Sequence, residues 1–158
     1  YRLAHGRGAD AAFGIIATFV EAGASDSASG SLLSQFPWDP EEIPRRPWID
    51  AMALFRKGVL EQVGGCDTRM RVEAVGGWED YALWLALADA GASVVFLPRF
   101  VGLYRRHGSS MISASMENHW LVPGYLRRRF PGIVGRFPGD EPLFGEEELF
   151  DIPGLPRP

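Results

Sequence analysis

The sequence predicts an α/β domain, a mixed sheet with flanking helices, and three observations predict it. Apolar runs of strand length, rich in β-branched or aromatic residues, fall at Gly14–Val20, Ala51–Phe55, Val94–Leu97 and Val101–Arg105. Between the second and third, Leu83, Trp84, Leu87 and Ala88 recur at the spacing of one helical stripe, closed by Gly91. The 158 residues are 46% apolar and 23% charged, enough for one domain with a core but not for two.

Taken in order, Tyr1 to Asp10 is polar, and the run ending at Val20 reads as a buried strand. Glu21 to Pro47 mixes Ser, Gly, Asp and Pro without sustained periodicity, a long excursion of the kind that carries binding loops. Trp48 to Arg56 offers a second strand, and Lys57 to Val63 a short helix stopped by Gly64-Gly65. The helix from Asp80 to Ala90 follows, then a strand ended by Pro98 and another, Phe100 to Arg105, that delivers His107. A helix is expected over Ala114 to Phe130, kinked or divided at Pro123-Gly124. Residues 1–130 thus form the domain and 131–158 a Pro- and Gly-rich acidic tail.

A net charge of -4 and a single short basic run, Arg127-Arg128-Arg129, argue against a nucleic-acid partner. Cys66, the single cysteine, forms no internal disulfide and is expected to be a small buried hydrophobe in a reducing compartment. No apolar run reaches the roughly eighteen residues of a membrane span, and no signal segment opens the chain, so a cytoplasmic location is expected. The start at Tyr1 without methionine suggests a piece of a longer protein.

Two segments carry chemistry. Gly76-Gly77-Trp78-Glu79-Asp80-Tyr81 puts two carboxylates at a helix start, and this arrangement reads two ways. Acidic residues there complement the helix dipole and accept from free N–H groups. Alternatively, one carboxylate points into a cleft as a general base, kept ionised by that dipole, with Trp78 as an apolar face for a sugar. In the second segment, Arg105 and Arg106 precede His107, and Gly108-Ser109-Ser110 follows. Such a donor-rich turn suits a diphosphate, and a neutral imidazole there suits a bridging divalent metal. His5 and His119 lack such company.

Together these residues resemble the second half of family 2 glycosyltransferases, inverting enzymes with the GT-A nucleotide-diphospho-sugar transferase fold. The matching features are Phe55-Arg56-Lys57 leading to Val63-Gly64-Gly65-Cys66-Asp67, then Gly77-Trp78-Glu79-Asp80-Tyr81 with Leu83-Trp84-Leu85, then Gly91. Tyr104-Arg105-Arg106-His107 with Ser109-Ser110-Met111 completes the set. The resemblance spans Ile49 to Met111 well and Ala11 to Trp48 loosely.

The resemblance implies Asp80 as catalytic base with Glu79 in support, and Trp78, Tyr81, Arg105 and Arg106 as substrate contacts. It further implies His107 as a metal ligand, a divalent metal (Mg2+ or Mn2+), a nucleotide-sugar donor, and a sugar, lipid-linked or protein acceptor. In a longer chain the inner face of a membrane is a compatible location. Two departures qualify it: no Asp-x-Asp motif occurs, and the Gln-x-x-Arg-Trp motif of processive synthases is missing. The chain therefore reads as an acceptor-side half, non-processive and inactive alone. The competing expectation is a binding or assembly module, whose aromatics Phe36, Trp38, Trp48, Phe144 and Phe150 build an interface and whose uncovered sheet self-associates.

Overall fold

The computed structural model describes residues 6, 8–19, 31–73, 75–105 and 116–134. It is a mixed sheet with flanking helices, centred on β1 (Ala11–Phe19). Along one edge of β1 lie, end to end and antiparallel, β2 (Leu32–Leu33) and β3 (Ala53–Phe55). Along the other edge runs β4 (Val94–Arg105), parallel to β1 for its whole length.

The two strands expected on either side of Pro98 are one. The ladder steps from Gly14↔Leu97 to Ile15↔Phe100 and then to Ile16↔Gly102, so the extra residues bulge out of register. Pro98 sits in the first bulge, where no ladder donor is needed. Gly14 makes room for the second. A Cβ there would lie 2.5 Å from Val101 Cγ1 and 3.0 Å from the Arg99 carbonyl oxygen.

The helices are α1 (Lys57–Val63), the single turn α2 (Arg69–Val72), α3 (Glu79–Asp89), a 3-10 segment (Met116–Leu121) and α4 (Val122–Arg129). Gly64 ends α1 in the left-handed conformation (φ 81), with Gly65 N–H donating to the Leu60 carbonyl at 2.8 Å. That is the glycine stop the sequence promised. Cys66 follows this surface turn and is exposed, which corrects the expectation of a buried thiol. The expected helix over Ala114 to Phe130 is divided ahead of Pro123, which occupies the first turn of α4, where its missing N–H has no helical partner to lose.

α3 packs on one face of the sheet and is enclosed beyond a single stripe: Tyr81, Ala82, Leu83, Trp84, Leu85 and Leu87 are all buried. Trp84 is the centre, with ring centroids 5.7 Å from Phe13, 5.1 Å from Phe55 and 5.8 Å from Trp38. The same core takes in Ile43 from the long excursion, Ile49 just after it, and Val122, Leu126 and Phe130 around α4. Val134 is also buried, so the core continues past the expected start of the tail. Residues 135–158 lie outside the described residues.

Candidate active site

The site is built at the start of α3. Gly77, at φ 92, adopts a backbone conformation that a side chain disfavours, and its N–H donates to Glu79 Oε2 at 2.8 Å. Glu79 thereby holds the turn that launches the helix. Asp80 Oδ1 accepts from the Tyr81 N–H at 2.8 Å, a first-turn amide that has no intrahelical acceptor. Both carboxylates are partly buried.

Burial is the largest influence on Asp80 and raises its pKa to about 6; the Tyr81 N–H opposes the rise, and the charges of Asp50 and Glu79 add to it. The helix dipole expected to keep this group ionised is thus outweighed. With that pKa roughly nine in ten of the Asp80 carboxyls are still ionised at pH 7. A carboxylate so poised is matched to taking a proton near neutrality.

Asp50 is the neighbour that inspection of the sequence missed, because nothing in the spacing of Trp48-Ile49-Asp50 links it to a residue thirty positions away. Its place is fixed by Ser34, the single non-glycine at positive φ (54) among the described residues and almost fully buried. Ser34 N–H donates to the Trp48 carbonyl at 3.1 Å, and Ser34 Oγ accepts from the Asp50 N–H at 2.9 Å. Beside this clamp, the Arg46 guanidinium lies 5.2 Å from the Phe36 ring centroid and 5.5 Å from that of Trp48.

Two expected substrate contacts flank the carboxylates and are buried. Trp78 is 9% exposed and part of the core, so its indole packs against protein instead of forming an open wall for a sugar. Tyr81 is 2% exposed, and its hydroxyl donates to the Ile43 carbonyl at 2.8 Å, tethering the 39–45 turn to α3. Burial also raises the Tyr81 pKa well above that of a free phenol. Both residues are large apolar groups at positions where the helix is enclosed, and enclosure on several sides is not written in a single stripe.

Arg105 closes β4 opposite Phe19 of β1. Arg106 and His107 lie outside the described residues, as do Ser109, Ser110 and Met111. Among the described residues, no three His, Cys, Asp or Glu side chains come together to hold a metal ion. The metal implied by the resemblance has no ligand set among these residues. No helix of the described residues is long and apolar enough to cross a membrane. No protein-family model matches this chain, and no curated protein or solved structure matches it.

Proposed function

We propose that this chain is the acceptor-side half of an inverting glycosyltransferase and that Asp80 is its general base. The observation that carries the reading is the Asp80 carboxyl itself: partly buried at the start of α3, with burial raising its pKa to about 6 and the charges of Asp50 and Glu79 adding to the rise. An acceptor hydroxyl would give its proton to Asp80 as its oxygen attacks the anomeric carbon. The bond to the nucleotide diphosphate breaks on the opposite face, and the diphosphate leaves with the electron pair. The donor and its metal would be held by residues other than those described. Glu79 serves by fixing the turn that aims Asp80, and Trp78 and Tyr81 serve by anchoring α3.

The test uses the chain joined to a donor-binding half. Asp80→Asn should lower turnover by about 10²–10⁴-fold while nucleotide binding persists, the range of general-base contributions. Unchanged turnover sinks the assignment. The chain alone should not turn over a nucleotide sugar, and a clear rate from it would overturn the half-site reading.

One observation favours a second reading, a binding or assembly module. Three of the expected site residues have structural employment here: Glu79 in the turn, Trp78 and Tyr81 in the core. On that reading Asp80→Asn changes stability alone.

A further inference from the structure

The basic run Arg127-Arg128-Arg129 takes no part in the site at α3 and closes α4. There Arg128 and Arg129 meet the surface around α2. The Asp67 carboxylate accepts from Arg69 Nη2 at 2.9 Å and from Arg129 Nε at 3.0 Å, and Glu73 pairs with Arg128 at 2.8 Å. These bonds leave the surface positive, because Arg71 of α2 is also exposed and four arginines stand against two acids. Exposure widens the imbalance: the side chains of Arg69 and Arg128 are 62% and 67% exposed, that of Asp67 only 9%. The chain as a whole carries -4, so this surface departs locally from its overall charge.

An apolar pair adjoins it. Trp120, 62% exposed, and Leu121, 41% exposed, close the 3-10 segment just ahead of α4. Leu121 has helical dihedrals (φ -80, ψ -23), so Leu121, Gly124 and Arg128 fall at i, i+3 and i+7 along one face. Val122, Tyr125 and Leu126 turn to the core instead. The Arg128 side chain runs back along the outer face: a Cβ at Gly124 would lie 3.7 Å from its Nη1. Its guanidinium therefore lies about one turn from Leu121, and the apolar pair continues the arginine surface.

We propose that this outer face, Trp120 and Leu121 with Arg128 and the neighbouring arginines, docks on the surface of an anionic lipid bilayer. An indole and a leucine beside guanidinium groups match such an interface on both counts. The ring and the aliphatic chain settle between headgroups and acyl chains, and the arginines meet lipid phosphates. Charge complementarity selects an anionic leaflet over a neutral one, and each arginine near the surface adds to the attraction. Neither part suffices alone, because two apolar side chains insert only slightly and a small charge surplus is screened within a Debye length. The docking is independent of the transferase reading.

Co-sedimentation with vesicles of equal parts phosphatidylglycerol and phosphatidylcholine, compared with pure phosphatidylcholine, tests it. The expected result is reversible binding to the anionic vesicles, about tenfold weaker on neutral ones and lost as salt rises to about 0.5 M. Trp120→Ala and Arg128→Gln should each weaken it several-fold, with circular dichroism unchanged, since neither side chain is in the core. Trp120→Phe should keep the binding and lose most of the fluorescence quenching by lipid brominated in its acyl chains. Absence of binding to anionic vesicles would overturn the proposal, including where the chain captures polyglutamate instead, which would give the face to an acidic protein partner. Equal binding to both vesicle types, or binding that survives Trp120→Ala and Arg128→Gln together, would overturn it as well.

Discussion

The Tyr125 hydroxyl donates to Asp67 Oδ2 at 2.8 Å, and Arg129 Nε donates to the same oxygen at 3.0 Å. Arg69 holds the other side of that carboxylate through Nε at 3.0 Å and its backbone N–H at 3.1 Å. One aspartate thus ties α4 to the segment between α1 and α2. Arg128 adds a second tie to Glu73 at 2.8 Å. The Arg69 bond is the main reason the Asp67 carboxyl lies far below the usual carboxylate range, with Tyr125 and Arg129 assisting against a burial that opposes them.

Asp67→Asn should therefore destabilise the chain by about 2 kcal/mol, the scale of charge-assisted hydrogen bonds left unmade. A urea titration at pH 7 measures it. Because the folded pKa is depressed, this contribution is complete above the unfolded value near 3.8 and fades only as pH falls through the folded one. An unchanged midpoint would show that the tie is incidental to stability.

Asp80 has the opposite sign. Its folded pKa is about 6 against 3.8 for an ordinary aspartate, so the folded state binds the proton more readily and stability falls as pH rises from about 4 to 6. Asp80→Asn should raise stability at pH 7 by about 1–2 kcal/mol, the scale of two pKa units reduced for partial exposure. The gain should vanish near pH 3.5. Parallel melts of the two proteins at both pH values decide it; equal stability at pH 7 would contradict the burial account.

Tyr81→Phe removes the donor to the buried Ile43 carbonyl and should cost about 1–2 kcal/mol. In the joined enzyme, acceptor KM should be unchanged, since the ring packs in the core. A raised KM with unaltered stability would return Tyr81 to the substrate.

Gly14→Ala should cost about 1–3 kcal/mol, because its methyl group meets Val101 and two backbone carbonyls that the bulged ladder holds in place. The chevron or urea midpoint gives the number. A neutral result would mean that β4 can slide out of its register.

The elements that rest on local chemistry were legible in advance. The Gly64-Gly65 stop of α1, the helix from Glu79 to Asp89 and the strand-forming runs follow from backbone preferences and periodicity, which neighbours in sequence decide. The fusion of two runs through Pro98 was not legible, because a bulge depends on the partner strand and on Gly14, far earlier in the chain. Short helices such as α2 carry too few residues for a periodic signal.

The sequence by itself determined that two carboxylates stand at a helix start after a glycine turn. Tertiary structure alone decided which groups around them face solvent. It enclosed Trp78 and Tyr81, because α3 is covered by sheet, turn and α4 together. It fixed Asp50 through the Ser34 clamp, where its charge acts on Asp80, and left Phe100 and Leu103 exposed. Burial and proximity are properties of packing between distant segments, and they set a pKa or expose a face where local pattern has no say.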